Sequence, residues 1–235
     1  MRQSQISCRP EPSATSVGAR MEFRTVLFDL DGTLIDHLPA IHRCYAHTLP
    51  QLGYPAPTYN EVKRAIGGGL PRAMRRFIPA ERVDEALAIY RPHWDATMLD
   101  DVVLMPGARE VLELLQRREV PAAVFTNKHG PSARRVCEHL GVSDLLAGVW
   151  GAGDTAWLKP EPEFAAHVLE ELCAEAASTV LVGDSPYDVA AAQAAGLAFI
   201  GVTTGTHTAA ELREAGGEVI WRDLDEGAAL WRPSE

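Results

Sequence analysis

The sequence has 235 residues, enough for one large domain or for a core domain with a modest insertion. Its net charge of −10 argues against a general nucleic-acid-binding or membrane-surface protein, because both kinds of partner are anionic and require a basic face. Residues 1–20 contain no apolar run, so we expect neither a signal peptide nor a membrane span there, but a disordered tail on a cytoplasmic protein.

The first structural element follows this tail. The run from Thr25 to Phe28 is apolar and rich in β-formers, which predicts a buried parallel strand that ends at Asp29. From residue 36 to 101 the apolar residues recur at helical spacing, and no strand pattern interrupts them. Residues 66–70, Ile-Gly-Gly-Gly-Leu, break this stretch with a flexible loop. The sequence therefore predicts an all-helical insertion after the first strand.

Strand and helix patterns alternate beyond residue 106. Strands are predicted at 121–125, 145–149, 179–182 and 198–202, and helices at 132–140, 162–173 and 186–195. Such alternation is typical of an α/β fold whose parallel sheet carries helices on both faces. Ligands of these sheets bind outside the carboxyl ends of the strands, so polar residues at those ends are the candidate site.

The strand ends and nearby loops carry residue types that suit phosphoryl transfer. This reaction requires a nucleophile, a proton donor for the leaving oxygen, a cation for the phosphate charge and donors for its oxygens. The candidates in chain order are Asp29, Asp31, Thr126, Asn127, Lys128, Lys159, Asp184 and Asp188. Taken alone, an aspartate pair before a helix is equally typical of an ordinary turn.

The chemistry of the carboxylates assigns a separate role to each of them. Asp29 is the predicted nucleophile, and Asp31 is the predicted acid and base that serves the leaving group and then the attacking water. Mg²⁺ prefers hard oxygen ligands, which Asp29, the backbone carbonyl of Asp31 and Asp184 would supply. Asp188, four residues after Asp184, is predicted to contact metal-bound water rather than the metal.

The remaining strand-end residues are predicted to hold the phosphate. Thr126 offers a hydroxyl, Asn127 an amide, and Lys159 a positive charge that would also hold the Asp29 carboxylate. Thr126 and Asn127 are equally suited to begin a helix. Lys128 is interpreted as an ordinary solvated lysine.

Residues 26–34 read Val-Leu-Phe-Asp-Leu-Asp-Gly-Thr-Leu and resemble the first motif of the haloacid dehalogenase-like superfamily. Residues 124–128, 159–162 and 182–188 resemble its second, third and fourth motifs, in the same order. The resemblance implies a Rossmann-like core of residues 21–36 and 103–235, with a helical cap of residues 37–102 inserted after the first motif. It also implies a phosphatase rather than a dehalogenase, because the dehalogenases lack the second aspartate, present here as Asp31.

Within the superfamily the chain looks most like phosphoglycolate phosphatases. We therefore expect Mg²⁺-dependent hydrolysis of a small phosphorylated metabolite through an aspartyl-phosphate, by a monomer or homodimer. A β-phosphoglucomutase-like phosphomutase, a pyrophosphatase and a sugar-phosphate phosphatase of the same fold are alternatives. A non-catalytic phospholigand-binding module should lack a motif residue, and none is missing.

Cations surround the glycine loop of the predicted cap. Gly68 and Arg72 are the candidate substrate-binding residues there, since arginine suits bidentate capture of a second anionic group. Lys63, Arg64, Arg75 and Arg76 are further cations of this region, and an ordinary solvated helix face is the alternative for any one of them. Asp36 is predicted to cap the first helix of the insertion.

Overall fold

Parallel strands form the central sheet. The computed structural model describes residues 23–230, so the predicted tail at residues 1–20 lies outside the described part. Within it, the six-stranded sheet has the order β5-β4-β1-β6-β7-β8, and every neighbouring pair is parallel. The strands are β1 (Thr25–Phe28), β4 (Ala122–His129), β5 (Gly148–Ala152), β6 (Thr179–Gly183), β7 (Ala198–Val202) and β8 (Val219–Trp221).

Helices cover both faces of this sheet, as alternating side chains in the strands require. Val26 and Phe28 of β1 point into one apolar cluster, and Leu27 between them points into the other. The first cluster includes side chains of α5 (Ala108–Arg117), α6 (Gly130–His139) and α10 (Leu224–Leu230), and the second includes side chains of α7 (Pro162–Glu171) and α8 (Pro186–Ala195). The short helix α9 (Ala209–Glu214) follows β7. The predicted α/β fold is confirmed.

The insertion after β1 is helical. It consists of α1 (Leu38–Gln51), α2 (Tyr59–Ala65), α3 (Leu70–Met74) and α4 (Val83–Thr97). Tyr45 of α1 packs edge-on against Tyr90 of α4 with ring centroids 5.4 Å apart. No strand lies between residues 37 and 102, as the sequence predicted. The division of the chain into core and cap domains stays a prediction.

Two short strands that the sequence did not reveal flank the insertion. β2 (Ile35–Asp36) pairs antiparallel with β3 (Val103–Leu104). The two chain segments that connect the insertion to the rest of the fold therefore lie side by side. Two-residue strands are too short for any hydrophobic period, so no pattern could predict them. The Asp36 carboxylate accepts a hydrogen bond from the backbone N–H of Leu38 at 3.2 Å, which agrees with its predicted place at the start of α1.

The strand predicted at residues 145–149 is present, but it lies three residues further along the chain. Ser143–Leu145 forms a short 3₁₀ helix, and β5 begins only at Gly148. β5 is an edge strand whose residues are partly exposed, so its side chains carry little of the apolar pattern. Its partner β4 continues past the predicted end at Phe125 to His129. Thr126, Asn127 and Lys128 therefore lie in a strand and not at the start of a helix.

No helix in the part of the chain that is described is long and apolar enough to cross a membrane.

Candidate active site

The predicted site residues meet at the carboxyl ends of β1, β4 and β6. Asp29 directly follows β1, and its backbone N–H donates to Val182 of β6 at 2.9 Å, which continues the pairing of the two strands. Asp184 directly follows β6, and Asp188 lies in the first turn of α8. Lys159 reaches the same point from the loop before α7. The topology thus collects residues that are up to 159 positions apart (29 to 188) in the sequence.

Lys159 is the central cation of this cluster and is almost fully buried. Its ammonium donates to Asp29 Oδ1 at 2.7 Å, to Asp188 Oδ1 at 2.6 Å and to the Phe125 carbonyl at 2.8 Å. Burial alone would lower the pKa of Lys159, but Asp188 and Asp29 outweigh it and raise that pKa to about 12. Lys159 is therefore charged, and its three protons are all bonded.

Asn127 holds the loop that carries Lys159. Its Oδ1 accepts from the Lys159 backbone N–H at 2.8 Å, and its Nδ2 donates to the Lys159 carbonyl and to the Gly67 carbonyl, both at 3.0 Å. Both amide protons are thus bonded to the protein. Asn127 thus connects strand β4, the Lys159 loop and the glycine loop of the insertion, and its role in phosphate binding stays a prediction.

A residue of the loop after β7 holds the Asp184 carboxylate in place. Its Oδ2 accepts from the Thr206 backbone N–H at 2.7 Å and from the Thr206 hydroxyl at 2.9 Å, and Thr33 lies 3.4 Å from its Oδ1. A side chain at Gly32 would lie 2.8 Å from Asp184 Oδ2, and Gly32 has a positive φ of 91°. Glycine is required there, because only glycine fits the turn and lets the first motif approach Asp184.

Carboxylate oxygens of Asp29, Asp184 and Asp188 lie within 4.8 Å of one another, and all three residues are buried. Among the described residues, Lys159 is the only cation that forms ion pairs in this cluster, with Asp29 and Asp188 but not with Asp184. Burial raises the pKa of Asp29 to about 6, although the positive charge of Lys159 acts to lower it. Burial, together with repulsion from Asp29 and Asp188, raises the pKa of Asp184 to about 8. Such an excess of buried negative charge fits a divalent cation held by hard oxygen ligands.

The oxygens of Asp188 are already occupied by protein donors. Oδ1 accepts from Lys159, and Oδ2 accepts from the Ser185 backbone N–H at 3.0 Å and from the Ser185 hydroxyl at 2.6 Å. By contrast, Asp29 accepts a single side-chain hydrogen bond, from Lys159 to Oδ1, and Oδ1 of Asp184 has only the long 3.4 Å contact with the Thr33 hydroxyl. Among the three, Asp188 is therefore the least suited to direct coordination, in line with the position behind the metal that the sequence predicted.

Asp31 belongs to a second cluster with Lys128. The Lys128 ammonium donates to both carboxylate oxygens of Asp31 at 2.9 Å and lies 4.6 Å from the centroid of the Trp94 ring. The Lys128 side chain is only 6% exposed, so its interpretation as a solvated lysine was wrong. Burial alone would raise the pKa of Asp31, but Lys128 and the neighbouring His37 hold it well below its usual range.

His37 completes this second cluster, and sequence reasoning missed it. Its ring is buried, its Nε2 donates to the Met98 carbonyl at 2.6 Å, and its Nδ1 lies 3.5 Å from Asp31 Oδ1. The ring also packs against Trp94 with centroids 4.8 Å apart. His37 directly follows β2 (Ile35–Asp36), and because that strand is too short to be recognised in the sequence, no pattern marked the histidine.

The two predicted cap residues contact the core but not the cavity beside Asp31. The Arg72 guanidinium lies 5.3 Å from the centroid of the Tyr187 ring, in the geometry of a cation–π contact. A side chain at Gly68 would lie 2.7 Å from the Tyr187 hydroxyl, so the glycine loop is closely packed on the fourth motif. The cavity, of about 160 Å³, has neither residue in its lining.

Known proteins are similar to this chain in sequence and in fold. The model of the haloacid dehalogenase-like hydrolase family matches residues 26–202. The "Probable phosphatase IndB" of Dickeya dadantii is 33% identical over 201 residues, which cover 83% of this chain and 87% of that protein. The "Phosphoglycolate phosphatase, plasmid" of Cupriavidus necator is 38% identical over 178 residues, 73% of this chain and 77% of that protein.

Among solved structures, a haloacid dehalogenase-like family hydrolase from Streptococcus pneumoniae matches with a TM-score of 0.82 and 23% identity over 90% of this chain and 99% of that one. This likeness concerns the fold. The family model extends over all four motifs and the relatives cover most of the chain, and the chain therefore belongs to the haloacid dehalogenase-like hydrolase family, in which it is a phosphatase.

Proposed function

We propose that this phosphatase hydrolyses a small phosphomonoester, with phosphoglycolate as the best candidate, in a Mg²⁺-dependent reaction through an aspartyl-phosphate on Asp29. One observation carries the proposal. Asp29 is fixed by Lys159 at 2.7 Å beside Asp184, in a buried cluster with too much negative charge for its single ammonium. A carboxylate held in this way can attack phosphorus.

In the first step, Asp29 attacks phosphorus and the bond to the leaving oxygen breaks. Asp31 gives its proton to that oxygen, and the alcohol leaves. In the second step, Asp31 takes a proton from water, and the oxygen of that water attacks the phosphorus of the aspartyl-phosphate. The carboxylate of Asp29 is released with inorganic phosphate, and Asp31 is again protonated.

Other residues of the chain orient the phosphate. The Thr126 hydroxyl oxygen accepts from the Lys128 backbone N–H at 3.2 Å, so its proton remains for a phosphate oxygen. Lys159 supplies a fixed positive charge beside Asp29. Asp29, Asp184 and the backbone carbonyl of Asp31 would hold Mg²⁺, with Asp188 behind them. Bound there, the ion supplies charge neutralisation for the phosphate oxygens.

The substrate is proposed from the relatives and the cavity. A relative 38% identical to this chain is named a phosphoglycolate phosphatase. The cavity of about 160 Å³ is smaller than the roughly 300–1,000 Å³ of sites for drug-sized ligands, which favours a short leaving group. We further propose that residues 37–102 act as a cap over the core, and that the enzyme works on a small metabolite in the cytoplasm.

The test is phosphate release from a panel of phosphomonoesters, with Mg²⁺ and with a chelator. Phosphoglycolate should be a preferred substrate, and chelation should abolish turnover. Asp29→Asn should lower kcat by roughly 10³-fold or more, as expected for a lost nucleophile. Asp84→Asn, at an exposed position of α4, is the matched control. Near-normal activity of Asp29→Asn overturns the assignment, and turnover only with a sugar bisphosphate present would indicate a phosphomutase.

A further inference from the structure

A cavity lies beside Asp31, between helix α2 and the loop after β7. Its lining includes Asp31 on the core side, Thr206 on the β7 side and Ile66 at the end of α2. If Asp31 protonates the leaving oxygen, as the proposed function requires, the leaving group of the substrate lies in this cavity. The side chains that line it then determine which leaving group fits.

One face of α2 points into this cavity. Tyr59, Lys63 and Ile66 line it, and their spacing of four and then three residues places them on the same side of a helix. The neighbouring Arg64 is exposed and does not line the cavity. Helix α2 thus presents Lys63 to the cavity and Arg64 to solvent.

Lys63 is the cation in the lining of this cavity. The other charged lining residues are Asp31, which binds Lys128, and Asp36, which accepts from the Leu38 backbone N–H. Among residues 23–230, Lys63 has no hydrogen-bond or ion-pair partner, although its side chain is partly buried. A partly buried lysine without such a partner, in the lining of a small cavity, offers a binding position for an anion.

We infer that Lys63 binds a carboxylate on the leaving group and so makes the enzyme select phosphorylated short hydroxy acids over phosphate esters whose leaving group is uncharged. This inference rests on the proposed function and deepens it. It replaces the sequence-based expectation for Arg72, because Arg72 is stacked on Tyr187 and lies outside the cavity lining.

The experiment compares two substrates whose leaving groups differ at a single position. Phosphoglycolate carries a carboxylate, and ethyl phosphate has a methyl group in its place. Lys63→Met should lower kcat/KM for phosphoglycolate about 10- to 100-fold, the loss typical of a charge-assisted hydrogen bond, mainly through a higher KM. It should leave kcat/KM for ethyl phosphate within about twofold, because that ester makes no use of the ammonium.

Arg64→Met is the matched control, since it removes an equal charge one residue away and should leave the preference unchanged. Lys63→Arg should restore part of the preference for phosphoglycolate. Equal losses for both substrates, or an unchanged ratio in Lys63→Met, overturn the inference while the proposed function stands. If the wild-type protein hydrolyses neither ester with Mg²⁺, the proposed function fails and the inference fails with it.

Discussion

The ammonium of Lys128 is 2.9 Å from both carboxylate oxygens of Asp31, and both groups are largely buried. In this arrangement Asp31 is ionised, whereas a proton donor must carry a proton. Asp31 can therefore act as an acid only after the contact with Lys128 has loosened. We expect substrate entry to loosen this contact, since a phosphate group would compete with Asp31 for the same ammonium.

Replacing Lys128 should shift the pH dependence of catalysis. Lys128→Met removes the positive charge that holds the pKa of Asp31 below its usual range, so that pKa should rise. Asp31 then stays protonated to higher pH, and the limb of the kcat/KM profile that reports its ionisation should move in the alkaline direction. A pH–rate profile measures this, and Lys128→Arg, which keeps the charge, is the control. Identical profiles for wild type and Lys128→Met would show that Lys128 does not act on Asp31.

Replacing Asn127 separates a structural role from phosphate binding. Asn127→Ala removes hydrogen bonds to the Lys159 backbone and to the Gly67 carbonyl and leaves buried groups without partners. The free energy of unfolding should fall by about 1–3 kcal/mol, and kcat should fall because Lys159 is no longer fixed. Urea unfolding and steady-state kinetics measure both. Unchanged stability with weaker inhibition by inorganic phosphate would instead restore the sequence-based role of Asn127 in phosphate binding.

The sequence was most informative where function depends on residues that directly follow strands. Asp29 and Asp184 end apolar runs, and a parallel sheet brings such ends together whatever their separation along the chain. Their convergence with Lys159 could therefore be predicted before the structure. The bidentate pair between Lys128 and Asp31 could not, because it depends on four further residues of β4 that continue past the apolar run.

Buried polar residues of the insertion were also beyond prediction. His37 has no periodic pattern around it, and its position depends on the Met98 carbonyl at the end of α4, 61 residues away. Likewise, five cations near the glycine loop look equivalent in sequence. Only the orientation of α2 distinguishes Lys63, which lines the cavity, from Arg64, which does not.

The packing of Gly68 on Tyr187 can be tested by adding a methyl group. In Gly68→Ala the new Cβ would lie 2.7 Å from the Tyr187 hydroxyl and 2.9 Å from Arg72 Cδ. Overpacking of this kind costs about 1–3 kcal/mol, and the glycine loop should separate from the fourth motif, with lower kcat/KM. Tyr187→Ala in the Gly68→Ala background should relieve the clash. A double-mutant cycle with no coupling energy would mean that the two residues do not touch during turnover.

Metal binding should stabilise the protein more at alkaline than at acidic pH. In the metal-free protein the pKa values of Asp29 and Asp184 are raised from 3.8 to about 6 and about 8, so protonation favours the folded state. This contribution is fully present below pH 3.8 and is lost as pH rises through 6 and 8. A cation binds the ionised carboxylates and relieves their repulsion at high pH, whereas at pH 5 it must first displace protons.

The increase in Tm on adding Mg²⁺ should therefore grow from pH 5 to pH 8, to about 5–10 °C at pH 8 for an ion concentration near 100 times Kd. Thermal unfolding with Mg²⁺ and with a chelator at each pH measures the difference. Asp184→Asn should remove most of the increase, because it takes away a ligand and one of the repelling charges together. Asp144→Asn, exposed and outside the cluster, should leave the increase as in wild type. If Mg²⁺ raised Tm equally at pH 5 and pH 8, cation binding at these carboxylates would be contradicted, because the cation binds only their ionised form.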